Sequence, residues 1–250
     1  MRLGFLEETL DEKEIVFMEI KRKRLIVGLT GPICGGKGIV AEYLRKKGFF
    51  YTSTSEQVRE ECRRRKITIT RENLQKLGDE MRKKFGSEVW AKRCWEMINK
   101  KKVPLTIVDS IRGEAEVDFL KTKSNFARNK VLAKRGSYLK NKVLAKRGSY
   151  LKNKVLAKRG SYFYLIGVIA PRRTRFKRVM ARGRESDPMN WNDFLRIDKA
   201  DFKSGKGKFG RDITACLRKS DLLLNNNGTV KQLEKKVNEW FVNKFKESYV

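Results

Sequence analysis

Short, densely apolar runs alternate along the chain with longer stretches in which apolar residues recur every three or four positions. The short runs predict five strands, at Leu25–Leu29, Phe49–Thr52, Leu105–Val108, Phe163–Ile169 and Leu222–Asn225. Between them, Leu74, Leu77, Met81 and Phe85 fall on one helical face behind Thr70, whose hydroxyl suits an N-cap. Val230, Leu233, Val237 and Trp240 repeat that spacing near the carboxyl end, and both stripes are expected to be core. Strands that alternate with helices predict an α/β domain on a five-stranded parallel sheet.

One stretch departs from this pattern. NKVLAKRGSYLK runs from Asn129 to Lys140, recurs unchanged from Asn141 to Lys152, and begins again at Asn153. A twelve-residue period rotates the apolar set of a helix by roughly 120° per copy, so a straight helix through all copies has no single apolar face. Gly136, Gly148 and Gly160 each weaken such a helix by about 1 kcal/mol relative to Ala. A surface insertion over 127–162 is expected, within a domain running from 23 to 250 after an extension over 1–22. Met1 and Met18 both fit as a start.

Composition narrows the chemistry. The chain has 250 residues, 40% of them hydrophobic, enough for one sizeable core. Without a single histidine it excludes His-based triads and His-ligated metals, leaving Asp, Glu, Lys, Arg and hydroxyls for catalysis. Cys34, Cys62, Cys94 and Cys216 form no C-x-x-C pair, which argues against a thiolate zinc site and for a reducing compartment. The acidic amino terminus does not resemble a signal peptide, and no apolar run approaches the ~20 residues that span a bilayer, so a cytoplasmic protein without a membrane partner is expected. The net charge of +31 favours polyanionic partners, and 12 of the Lys and Arg residues lie between Ala127 and Tyr162.

The candidate chemistry begins where the first strand runs into GPICGGKG, Gly31 to Gly38, and then into a helical pattern. Glycines let successive backbone N–H groups turn inward on phosphate oxygens, the helix start adds its dipole, and a lysine reaches the terminal phosphates. Gly31, Pro32, Ile33, Cys34, Gly35, Gly36, Lys37, Gly38 and Ile39 are thus the expected ATP-binding residues. Gly38 stands where G-x-x-x-x-G-K-[ST] has its hydroxyl, so Thr30, Ser53 or water would have to help hold Mg²⁺. Asp109, at the end of the third apolar run, sits where ligands of open α/β sheets gather and is a candidate Mg²⁺ carboxylate; its alternative role is to cap the next helix. Arg178 and Arg182 share one helical face, whereas Arg172, Arg173 and Arg175 read better as a solvated basic face.

The opening GLTGPICGGKGIVAEYLRKKGF resembles that of dephospho-coenzyme A kinases, and its G-K-G resembles adenylate kinases, which carry a threonine where this chain has Ile39. STSEQVR, Ser53 to Arg59, resembles an adenylate kinase-like acceptor element in spacing, with looser agreement at Ser55 and Glu56. TIVDSIR resembles the D-G-F-P-R segment of nucleoside monophosphate kinases shortened by one residue, and Arg178 with Arg182 resembles the R-x-x-x-R of the lid hinge. The resemblance covers most of 23–245 outside the repeat. It implies a P-loop NTPase fold with an acceptor-binding helical region and a lid over about 183–211. It also implies ATP and Mg²⁺ as cofactors, Lys37, Asp109, Arg178 and Arg182 as catalytic residues, and Ser53, Arg59 and Arg112 as ligands of a small phosphorylated acceptor. Dephospho-coenzyme A and a nucleoside monophosphate both remain open as that acceptor. A nucleic-acid-binding ATPase and a nucleotide binder without turnover are the alternatives. GKGKFG at 205–210 follows no strand and is expected to be loop rather than a second phosphate site.

Overall fold

The computed structural model describes residues 24–124, 161–184, 187–202 and 211–246. The extension over 1–22, all but the end of the repeat block, and the GKGKFG segment lie outside the described residues. Five strands are present: β1 (Arg24–Thr30), β2 (Phe50–Ser53), β3 (Leu105–Ile111), β4 (Ser161–Ile169) and β5 (Leu222–Asn225). Helix α1 (Lys37–Lys46) follows β1; α2 (Thr54–Arg64), α3 (Arg71–Phe85) and α4 (Val89–Lys101) separate β2 from β3. Helix α5, over 114–124, follows β3. Helices α6 (Arg172–Arg182), α7 (Trp191–Phe202) and α8 (Ile213–Arg218) lead to β5, and α9 (Val230–Lys246) follows it.

All strand pairs are parallel, in the order β2-β3-β1-β4-β5. This is the α/β P-loop architecture that the sequence predicts. β1 lies at the centre and is apolar on both faces because helices cover both. On one face Leu25, Val27 and Leu29 pack with Leu44 of α1 and Val237 and Phe241 of α9. On the other, Ile26 packs with Cys94 and Ile98 of α4, Leu120 of α5 and Cys216 of α8. The chain leaves β1 toward β2 on one side of the sheet and leaves β3 toward β4 on the other. The crevice beyond the carboxyl ends of β1 and β3 is therefore the topological switch point, where open sheets bind ligands.

Several expectations need correction. Phe85 is 49% exposed and Val230 51% exposed, because each is a terminal residue of its helix, where the face that begins as core has run past the neighbouring element. Leu77, Met81, Leu233 and Val237 are core as expected, and Thr70 caps α3 by accepting from the Asn73 N–H at 3.2 Å. Ser161 and Tyr162, the last residues of the third repeat copy, belong to β4 and pair with Arg24 and Leu25. The proposed lid segment contains α7, whose Phe194 is fully buried against Ile33 and Val179. Arg175, expected on a solvated face, is only 2% exposed; it donates from two nitrogens to Asp198, at 2.5 and 2.9 Å, while Arg172 reaches the same carboxylate from the surface.

Candidate functional site

The loop between β1 and α1 is held in shape by its surroundings. Gly31 has φ of +137°, and a Cβ there would lie 2.1 Å from the Val168 carbonyl oxygen; at Gly36, with φ of +117°, it would lie 2.1 Å from the Asn226 side-chain nitrogen. Both positions exclude side chains, so the loop backbone lies directly on β4 and on the turn after β5. Asn226, nearly buried, donates its amide to the Gly35 carbonyl at 3.0 Å. Ile33 anchors the outer side by packing on Val179 and Phe194.

Lys37 opens α1 and folds back over the loop, donating to the Gly31 carbonyl at 2.7 Å and the Pro32 carbonyl at 2.9 Å. Burial pushes its ammonium down to about 8, partly opposed by the negative charge of Asp109. Gly31 and Pro32 support this lysine from beneath, while Ile33, Cys34, Gly35, Gly36, Lys37, Gly38 and Ile39 line an adjoining cleft of ≈ 890 Å³. Gly38 is exposed, and a Cβ there would meet nothing within 4 Å.

Asp109 lies inside β3 rather than beyond it. The β1–β3 register shifts between Gly28 and Thr30, and Ser110 takes a left-handed φ of 64° at this irregularity. A non-glycine residue in that region costs about 1–3 kcal/mol unless its surroundings fix it. Here they do: Thr54 donates to the Ser110 carbonyl at 2.6 Å and Thr30 to the Ile111 carbonyl at 2.8 Å. Asp109 accepts from the Ser110 N–H at 2.5 Å and from the Tyr51 hydroxyl at 3.0 Å. It does not cap the following helix. Glu116 does so, accepting from the backbone N–H groups of Arg112 and Gly113 at 2.9 and 3.0 Å.

Ser53 is the register partner of Asp109 on β2, and both border the cleft. Thr30 is fully buried with its hydroxyl committed to β3, so of the two candidate hydroxyls only Ser53 faces the cleft. One carboxylate beside one hydroxyl is a donor set that suits Mg²⁺ held largely by phosphates and water. Among the described residues no cluster of three or more Cys, Asp or Glu is placed to cage a metal.

Among the described residues, nine cationic side chains and three carboxylates line the cleft. Arg178 and Arg182 stand on the loop side. Arg178 donates to the Asn226 carbonyl at 3.1 Å, and Arg182 pairs with Asp187 at 2.9 Å. Arg59 lines the β2–α2 side, with long contacts of 3.4 Å to the Ser55 carbonyl and hydroxyl and a 3.7 Å ion pair to Glu56.

Elsewhere on the cleft wall Arg112 meets groups that lie far from it in the chain. Arg71 of α3, Arg112 and Arg211 donate to the fully buried Asp201 of α7 at 3.0, 3.2 and 2.9 Å. Burial would push the Asp201 carboxyl up, but Arg112, Arg71 and Arg211 outweigh it and hold it below the usual range. Arg71 is lowered to about 10 by burial and by neighbouring Arg112, which leaves it a cation at neutral pH. Arg82, also on the cleft wall, pairs with Asp79 at 3.2 Å.

One local signal for these missed residues exists. Phe194, Ile197, Asp198 and Asp201 share the buried face of α7, so acids occupy positions of an apolar stripe. Buried carboxylates at such positions need cationic partners.

No protein-family model matches the chain. It is 28% identical over 215 residues to a UPF0200 protein of Thermococcus gammatolerans, covering 85% of this chain and 92% of that protein. Among solved structures it is similar to TT1252 from Thermus thermophilus (TM-score 0.45, 16% identity, 88% of this chain and 98% of that one). It is also similar to the shikimate kinase of Aquifex aeolicus (TM-score 0.41, 11% identity, 87% of this chain and 96% of that one). No helix among the described residues is long and apolar enough to cross a membrane.

Proposed function

We propose that this protein is a phosphotransferase that uses ATP and Mg²⁺ to phosphorylate a small acceptor already carrying a phosphate, either dephospho-coenzyme A or a nucleoside monophosphate. The observation that carries the reading is the layout of one cleft. The glycine-rich loop with Lys37, the Arg71, Arg112 and Arg211 cluster, and Asp109 with its register partner Ser53 all border the same cleft.

In this reading the loop amides and Lys37 hold the ATP phosphates, and Arg178 and Arg182 neutralise charge that develops on the transferring group. Arg59 and Arg112 hold the acceptor phosphate. Planar, permanently charged guanidinium groups suit both tasks, since they grip phosphate oxygens in pairs. Mg²⁺, when bound with ATP, supplies further charge neutralisation, and Asp109 and Ser53 are the residues that would hold it through water. The cleft volume of ≈ 890 Å³ is enough for two small ligands end to end.

The test is ADP formation with Mg²⁺ against dephospho-coenzyme A and each nucleoside and deoxynucleoside monophosphate, with RNA as a separate arm and Lys37→Ala as control. Acceptor-dependent turnover by one small molecule, lowered about a hundred- to a thousandfold in Lys37→Ala, is the expected result. Turnover stimulated by RNA alone would overturn it. One observation favours a second reading, nucleotide binding without turnover: Gly38 and Ile39 leave the start of α1 without a hydroxyl for Mg²⁺. Tight ATP binding with no product from any acceptor would select it.

A further inference from the structure

The cleft wall formed by α3 carries unsatisfied polar groups. The side-chain nitrogen of Gln75 and the Nε of Arg71 are both shielded from solvent, and neither has a hydrogen-bond partner among the described residues. Both residues lie on α3, four positions apart and therefore on one face, and both line the cleft. A buried donor left without an acceptor is costly, and because Gln75 borders the cleft, rotation about its soft terminal torsion turns the amide to an acceptor that a ligand brings.

Their surroundings specify what kind of ligand. Val58, Ile69 and Leu74 border the same part of the cleft and belong to one apolar cluster. This wall cannot serve a bare phosphate, which the arginines alone would satisfy. It suits the flat or apolar body of a larger molecule. An amide in such a wall pairs with a carbonyl or ring nitrogen on the body's edge, because a carboxamide offers a donor and an acceptor side by side.

We propose that Gln75 is a specificity-determining residue that reads a hydrogen-bonding edge on the acceptor's body, with that body lying on Val58, Ile69 and Leu74 and the Nε of Arg71 completing the contact. This rests on the phosphotransfer reading for the identity of the ligand as an acceptor. The class it selects is a phosphate monoester bearing a heterocycle or amide, not a simple sugar phosphate. Nucleoside monophosphates and dephospho-coenzyme A both carry such edges.

The test compares dissociation constants for ribose 5-phosphate, each nucleoside monophosphate and dephospho-coenzyme A, in the presence of a non-hydrolysable ATP analogue. It uses the wild type, Gln75→Leu and Gln75→Glu, with binding of the analogue as the check that each variant is folded. The preferred compound should bind wild type about a hundredfold more tightly than ribose 5-phosphate, and Gln75→Leu should cut that ratio about tenfold, the remainder coming from the apolar wall that the variant keeps. Gln75→Glu should change which heterocycle is preferred, since it exchanges a donor for an acceptor. Whichever compound loses its advantage identifies the source of the edge. An unchanged ratio in Gln75→Leu, or no preference over ribose 5-phosphate in the wild type, overturns the proposal. Initial rates on the same variants separate this from the phosphotransfer reading: a lowered binding ratio in Gln75→Leu with no phosphorylated product from any variant refutes transfer and leaves the role of Gln75 in recognition intact.

Discussion

Lys37 reaches back from the first turn of α1 to the carbonyl of Gly31, 2.7 Å away, so the charged end of the side chain lies across its own loop. Burial disfavours the ammonium there, and an anion bound beside it would favour it.

This sets a pH dependence. The ammonium titrates near 8 in the free protein, and bound phosphates raise that value, so binding takes up protons between the two. Nucleotide affinity is expected to be flat below about pH 7 and to weaken above about pH 8, at most tenfold per unit for one proton. Calorimetry at pH 8.5 in buffers of different ionisation enthalpy should show proton uptake, and Lys37→Met should abolish it. Zero uptake in the wild type would contradict the placement of Lys37 on the phosphates.

Gly38 offers a gain-of-function test, because an added side chain meets open space. Gly38→Ser restores the hydroxyl at the helix start and should lower the Mg²⁺ concentration needed for half-maximal turnover by several-fold. Gly38→Ala should only stabilise the helix, by about 0.5–1 kcal/mol. Equal Mg²⁺ requirements in the two variants would mean that Asp109, Ser53 and water already suffice.

Asp109→Asn keeps the shape of the side chain and removes its charge. Mg²⁺-dependent turnover should fall about a hundredfold, by the scale of other charge-stabilising groups, while ATP affinity measured without Mg²⁺ changes less than about threefold. Equal losses with and without Mg²⁺ would point to a purely architectural role at the β3 irregularity.

Asp198 and Arg175 form a buried pair linking α7 to α6. Asp198→Ala leaves a buried guanidinium without its carboxylate and should cost about 3–5 kcal/mol in urea unfolding. Arg172→Ala, whose side chain is largely exposed, should cost less than about 1 kcal/mol. Similar losses in the two variants would argue against this division.

The sheet and the glycine-rich loop are legible in the amino-acid order alone. The central strand β1 is a contiguous apolar run whose burial on two faces is written in its own residues, and the bounds of the edge strand β5 fall where its run begins and ends. The glycine-rich loop is likewise contiguous, so its lysine, its glycines and its missing hydroxyl could be read without knowing what lies around them. The arginine cluster around Asp201 is not legible there and is set by packing. Arg71 and Asp201 stand 130 positions apart and Arg112 and Asp201 stand 89 apart, and no local pattern encodes a meeting at that range. The same limit explains Arg175: in R-R-T-R the letters are alike, and only the seating of α6 against α7 decides which guanidinium turns inward to Asp198 and which stays in water. Local apolar pattern fixes what must be buried, whereas the partner of a buried charge is set by packing between elements that the chain brings together from a distance.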